Sequence, residues 1–275
     1  MTDDDRETPR LSPSIGHLLT TESPLSAWAA HRLLGNFKRP TTDAQMEGRL
    51  WHSALLEAGK GIEVIEADNY RTKAAQEFRD AAVMAGRIPV LAAKFDEMSH
   101  GVTMIRDQLS RFGIVFDGTP EERFEWEEIA DNGQPVACSG FIDHYSGSVI
   151  TDLKTSRTPT TLHGAAREIA GSHALLQEPA YRRALADTYD LDFERISFVF
   201  AFVQTQEPFT VTPVTLSGEF REVAYLRWRR AINTWHECLS RGPERKCWPG
   251  PVEVTTPIHA PGWMLAQEIE LEAMK

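Results

Sequence analysis

Between Glu122 and Lys154 the chain breaks into three short runs in which apolar and polar residues partly alternate: Glu122–Ile129, Pro135–Asp143 and Ser148–Lys154. Alternation has a period of two, which fits a strand and not a helix. The separators, Asp131-Asn132-Gly133 and Tyr145-Ser146-Gly147, are hairpin-turn chemistry, with a glycine where the backbone must turn tightly. The spacing predicts a three-stranded antiparallel meander.

On either side the period lengthens. Ser12-Pro13 and Ser23-Pro24 each pair an N-cap residue with proline at the first helical position, predicting two short helices, the second over Leu25–Leu34. Asn36–Thr42 reads as a loop. From Thr42 to Ala58, Met46, Leu50, Ala54 and Leu55 recur at helical spacing, and Gly59 ends the pattern. A short strand is expected near Ile62–Glu66. Helices are expected over Thr72–Ala85 and Val90–Phe112, the second with a possible break at Gly101. After the meander come a helix over Ser172–Asp187, strands at Ile196–Gln204 and Phe209–Leu216 joined by a turn at Glu207-Pro208, and a long helix over Gly218–Leu239. The segment from Trp248 is Pro-rich and then weakly helical. The expected class is α+β: a central mixed sheet flanked by helices, with a helical N-terminal extension. Residues 1–10 are polar and charged and read as a disordered tail, leaving 11–275 as one domain. Its helical part is 11–115 and its core 116–275.

Composition limits the function. With 275 residues, 41% of them hydrophobic, the chain is long enough for a sizeable core. It contains no apolar run of membrane-spanning length, and Met1–Arg6 lacks the apolar stretch of a secretory signal, so a cytoplasmic location and no membrane partner are expected. Cys138, Cys238 and Cys247 are too few and too scattered for a disulfide framework, a zinc site or an iron–sulfur cluster. The formal charge of −11 argues against a protein that coats nucleic acid non-specifically. It leaves room for an enzyme that grips DNA locally, because metal-binding carboxylates enter the sum as negative charge.

The chemistry concentrates in Gly140-Phe-Ile-Asp143 and Ile150-Thr-Asp152-Leu-Lys154-Thr155. Asp152 and Lys154 are two apart on a strand and share a face, with Leu153 on the other. A hairpin that brings Asp143 beside them gathers two carboxylates and an ammonium. Two acids so placed repel unless a cation lies between them, and Mg²⁺ takes one or two carboxylates with water and phosphate completing its shell. The Leu153 carbonyl is a further candidate ligand. Each piece alone has an ordinary explanation: a surface ion pair for Asp152 and Lys154, a satisfied helical His for His52, and a packed Tyr with a solvated Gln for Gln177 and Tyr181. Glu122 and Glu125 lie one strand ahead of Asp143. Being three apart they face opposite sides of a regular strand, so only one can serve the site.

Taken in order, Gly48-x-x-x-His52 on a helix, Asp143 closing a strand, Asp152-x-Lys154 on the next and Gln177-x-x-x-Tyr181 on the following helix resemble the RecB-like branch of the PD-(D/E)xK nuclease superfamily. Leu11-Ser-x-Ser, Ser23-Pro24, Gly48-Arg-Leu-Trp-His52-Ser-Ala-Leu-Leu-Glu57, Arg71-Thr-Lys73, Trp248-Pro-Gly250 and Pro261-Gly-Trp263 look like the phage and prophage exonuclease VIII (RecE-type) nuclease domain. The resemblance implies a restriction-endonuclease-like core and a Mg²⁺-dependent exonuclease, with Mn²⁺ able to substitute, that degrades linear double-stranded DNA from the 5′ end. It also implies a ring-shaped homo-oligomer and delivery of the exposed 3′ strand to a RecT-like annealing protein. By motif position Asp143, Asp152 and Lys154 are catalytic, and the metal contacts are Asp143, Asp152, Leu153, His52 and Glu122 or Glu125. His52, Gln177 and Tyr181 contact DNA. Pro179 departs from the pattern, since proline lacks the N–H that a mid-helix position needs; it fits if the helix begins near Glu178 with Gln177 at its cap. An endonuclease, a single-strand nuclease and a catalytically idle DNA-end-binding module are the alternatives.

Overall fold

The computed structural model describes residues 8–37, 42–57, 59–117, 120–252, 254–255 and 257–273. Most of the expected tail, most of the 36–42 loop and position 58 lie outside them.

Local chemistry sets the helix starts. Ser12 and Ser23 accept hydrogen bonds from the third residue of α1 (Pro13–Thr21) and of α2 (Pro24–Ala30), each helix opening on proline. A capping box between Thr42 and Gln45 starts α3 (Asp43–Leu56). Next comes a parallel β–α–β unit: β1 (Ile62–Ile65), α4 (Lys73–Met84) and β2 (Ile88–Leu91), with Ile62 opposite Ile88. Helix α5 (Ala92–Arg111) follows directly. The helix expected from Val90 therefore begins two residues later. The short apolar run Ile88-Pro-Val-Leu91 finds a strand partner in Ile62–Ile65, a tertiary pairing that a local period does not reveal.

Strands β3 (Glu122–Ile129) and β4 (Pro135–Ile142) form an antiparallel hairpin, Glu122 opposite Ile142, turning at Gly133 with φ +82°. The expected meander stops there. The chain bends at Asp143, and a three-residue β5 (His144–Ser146), not β4, lies antiparallel to β6 (Val149–Ser156). The other edge of β6 pairs in parallel with all of β7 (Ser197–Gln204), and β8 (Val211–Val214) completes a mixed sheet in the order β5-β6-β7-β8. Between β6 and β7 stand α6 (Leu162–Gly171) and α7 (Ala174–Tyr189). Helix α6 is absent from the sequence expectation although Leu162, Ala165, Ala166 and Ile169 recur at helical spacing behind a Thr161 cap. Helices α8 (Gly218–Arg241) and α9 (Gly262–Ala273) end the chain.

Strand β7 separates two cores. Phe198, Phe200 and Phe202 face one way, into a layer built with α1, α7 and α8. Ala201 and Val203 face the other, joining Trp51 and Leu55 of α3 and Ile105 and Leu109 of α5. A strand covered on both faces reads as a continuous apolar run, as Phe198-Val-Phe-Ala-Phe-Val203 does. On β6 the same split sends Ile150 to the first layer and Leu153 to the second, so Asp152 and Lys154 face α7.

Helix α5 runs unbroken through Gly101. A Cβ there would lie 2.6 Å from Phe209 Cε1 and 2.7 Å from Trp51 Cη2. Glycine is present for close approach, not to end the helix. Gly101→Ala should therefore destabilise the fold by about 1–3 kcal/mol through overpacking, where the same change in an open helix would stabilise it by about 1 kcal/mol. Urea denaturation gives the sign directly.

Candidate functional site

Pairing between β5 and β6 ends at Thr151, so beyond it that edge of β6 has no strand neighbour. The Leu153 peptide lies in the gap, and two side chains occupy it. Asp143 Oδ2 accepts the Leu153 N–H at 2.8 Å, and His52 Nε2 lies 3.0 Å from the Leu153 carbonyl oxygen. Asp143 reaches this peptide because the chain bends directly after β4. His52 reaches it from α3, whose Gly48 faces Thr155 of β6. His52 Nδ1 is 3.9 Å from Asp143 Oδ2 and 3.8 Å from Glu121 Oε1.

Asp152 is 1% exposed, and neither of its oxygens takes part in a well-directed hydrogen bond. Its partner is an ion pair: Lys154 Nζ lies 2.5 Å from Oδ2. Lys154 also donates to Gln177 Oε1 at 2.9 Å. Tyr181 stands one turn along α7, its hydroxyl beside the Gln177 side chain and the Phe141 backbone. Its ring packs against Gly140, where a Cβ would come within 2.4 Å. Gln177 and Tyr181 therefore share a helix face although α7 begins at Ala174 and Pro179 lies inside it, so Gln177 is not the cap residue.

Asp143, Leu153, Lys154, His52 and Gln177 line a cleft of about 870 Å³ between α3, the Asp143 bend, β6 and α7, whereas Asp152 is buried outside its wall and Tyr181 lines a neighbouring concavity. Glu122 is turned elsewhere, its carboxylate accepting from the Tyr145 hydroxyl at 2.7 Å. Glu125 is paired with Arg10 and Arg123. The acid that lines the cleft from this segment is Glu121, held in the left-handed region at φ +47° with its N–H on the Asp143 carbonyl at 3.0 Å. It precedes β3, so strand alternation could not single it out. Arg49, Glu168 and His173 also line the cleft and were not singled out from the sequence. Arg49 is next to Gly48 in the helical motif, the one signal available. Among the described residues no set of three or more His, Cys, Asp or Glu side chains is grouped to cage a metal ion.

No protein-family model and no curated protein matches the chain. Among solved structures, the protein named "Putative exonuclease" from Eubacterium rectale is similar at 12% identity and a TM-score of 0.53, over 94% of this chain and 96% of that one. A second, SSO0001, is 12% identical over 70% of this chain and 90% of that one, with a TM-score of 0.26. The first likeness covers the α+β fold from end to end; the second carries no argument. Among the described residues no helix is long and apolar enough to cross a membrane.

Charge in the cleft is strained. Burial, then the neighbouring Asp152 carboxylate, raises the Asp143 carboxyl to about 8. Burial opposes the Lys154 charge, but Asp152 and Asp143 outweigh it and hold the ammonium above the ordinary lysine range. Burial, assisted by Lys154, pushes His173 down to about 4, so its imidazole is neutral at pH 7. His52 is lowered too, mainly by burial. For Asp143 the folded state binds more protons than the unfolded state between the ordinary 3.8 and about 8. Folding stability must then fall as pH rises through that window and level off above it. In EDTA, the melting temperature of Asp143→Asn should lack this part of the slope. Parallel pH–melting curves for the two proteins would refute the assignment.

Proposed function

We propose that the chain is a metal-dependent deoxyribonuclease, with Asp143, Asp152 and Lys154 at its centre and a restriction-endonuclease-like core around them. The observation that carries this is the Asp152 carboxylate, buried without a well-directed hydrogen bond beside a second acid and an amine. Two buried acids that share one ammonium are costly together unless a further cation is bound. The donors fit Mg²⁺ or Mn²⁺: carboxylate oxygens from Asp143 and Asp152 and the Leu153 carbonyl are hard ligands, and an open cleft leaves room for water and phosphate. His52, already on the Leu153 carbonyl, steadies that peptide or contacts phosphate. Glu121 takes the place of Glu122 as the nearby acid.

A bound divalent cation would supply positive charge at the scissile phosphate and acidify a water for attack. The chain's own residues position the rest. Lys154, fixed between Gln177 and Asp152, holds its ammonium where charge develops on the phosphate oxygens. Gln177 and Tyr181 form the wall along which the scissile strand lies. Arg49, exposed at the rim, takes a neighbouring phosphate. Attack by water breaks the P–O3′ bond and leaves a 5′-phosphate and a 3′-hydroxyl. Contacts of this kind are to phosphate, so sequence preference is not expected. The motif order further supports double-stranded ends as substrate, 5′-to-3′ polarity, a ring-shaped homo-oligomer and a RecT-like partner for the 3′ strand.

Linear duplex labelled at each end in turn, beside a nicked circle, in Mg²⁺ or in EDTA, tests this. Loss of 5′ label from linear duplex only, and only with metal, is the expected result. Cleavage of the circle would make it an endonuclease, and binding without cleavage an idle module. Asp152→Asn should abolish cleavage while the protein still folds, as circular dichroism would show. Lys154→Ala should lower kcat by about a hundredfold to a thousandfold. Wild-type turnover by Asp152→Asn would sink the proposal.

A further inference from the structure

Helix α7 carries three polar side chains in one line. His173, Gln177 and Tyr181 are four apart, and His173, the N-cap residue, already has helical backbone angles (φ −66°, ψ −13°), so the line begins with it. Gln177 holds Lys154, and Tyr181 packs on Gly140. His173 lines the cleft with Gln177 and Lys154.

An imidazole at the start of a helix ordinarily needs no special reason. Two observations set this one apart. Its ring makes no hydrogen bond to the described residues, although Lys154, Asp152 and His17 all lie near enough to act on its charge. It also stands one helical turn, about 5–6 Å between Cβ atoms, from Gln177, whose Oε1 is 2.9 Å from Lys154 Nζ. A strand whose scissile phosphate lies at Lys154 would bring a neighbouring phosphate against the ring.

Charge decides what the ring can do there. Its pKa is pushed down to about 4, so at pH 7 it is a neutral imidazole with one N–H to donate. A second cation at this point would be repelled by Lys154 and by a bound metal ion. A neutral donor holds a phosphate oxygen without that repulsion. The opening turn of α7, the positive end of a helix of 16 residues, favours an anion at the same place. We propose that His173 is a further substrate-contacting residue, its imidazole N–H donating to a phosphate adjacent to the scissile one, across the cleft from Arg49. The assignment deepens the nuclease reading and rests on it. Such a contact is the same before and during bond breaking, so it sets KM and leaves kcat alone.

Steady-state hydrolysis of labelled linear duplex in Mg²⁺ tests this with full-length wild type, His173→Leu and His173→Gln. His173→Leu should raise KM about tenfold to a hundredfold, as expected for losing a hydrogen bond to a charged group, with kcat nearly unchanged and the loss equal at neutral and alkaline pH. His173→Gln, which keeps an N–H donor, should recover most of it. His173→Ala replaces the leucine variant if circular dichroism shows that leucine disturbs the start of α7. Uncharged methylphosphonates, placed at one linkage at a time, probe the same contact from the substrate side. One linkage next to the scissile one should weaken the wild type and add little further loss to His173→Leu. Unchanged KM in the folded variant, a loss confined to kcat, an equal loss in His173→Gln, or methylphosphonate losses that are the same in both proteins overturns the contact and leaves the nuclease reading intact. Absence of Mg²⁺-dependent hydrolysis by the wild type overturns both.

Discussion

The site depends on a strand edge that has lost its neighbour. Backbone N–H and C=O groups must find partners when buried, and a strand normally finds them in the next strand. Strand β5 is only three residues long, so β6 loses its antiparallel partner after Thr151, just before Asp152-Leu153-Lys154. Asp143 and His52 take up the Leu153 N–H and carbonyl instead. One unpaired peptide thereby draws together a bend, a helix and a strand that are far apart in sequence, and β7 fixes β6 from its other side over eight residues. Had β4 continued as the third strand of a meander, ladder bonds would have closed that edge and excluded both side chains.

The legible part of the fold was the part set by local chemistry. Ser-Pro pairs at 12–13 and 23–24, the Thr42 cap and the glycine turn at Gly133 act within a few residues, and each is placed where its sequence puts it. What escaped was decided at a distance. Strand β2 exists because Ile62–Ile65 lies beside it. The candidate site divides in the same way. Asp152, Lys154, Gln177 and Tyr181 follow from periods of two and about four on regular elements, and the structure brings them together. Glu121 lies on an irregular left-handed residue at a strand entrance, where no period applies, so the acid that meets His52 could not be told from its neighbour Glu122.

Net charge would mislead if read as a property of the whole surface. The total is −11, yet Arg49 and Lys154 lie among Glu57, Glu121, Asp143 and Glu168 in the cleft, and Arg10 and Arg123 lie together over a single acid, Glu125. A polyanion is attracted or repelled by what lies within about a Debye length, roughly 8–10 Å at moderate salt. The local distribution of charge therefore outweighs the sum.

The cost of this arrangement falls on stability. An Asp143 carboxyl raised to about 8 and an Asp152 carboxylate lacking well-directed hydrogen bonds are features that selection for stability alone would remove, since an amide or an apolar group of similar size would sit there at lower cost. Lys154 offsets only part of the burden: its ammonium faces two acids and is shared with Gln177. Elsewhere the chain satisfies its buried charges more fully. Glu178 and Arg182 are bonded to each other, and Arg182 donates further to the Ile196 and Phe193 carbonyls. The contrast lies within one helix, α7, whose Glu178 side is closed and whose Gln177 side is open to the cleft. Unbalanced buried charge confined to the face that meets the cleft is the feature on which the proposed nuclease reading rests.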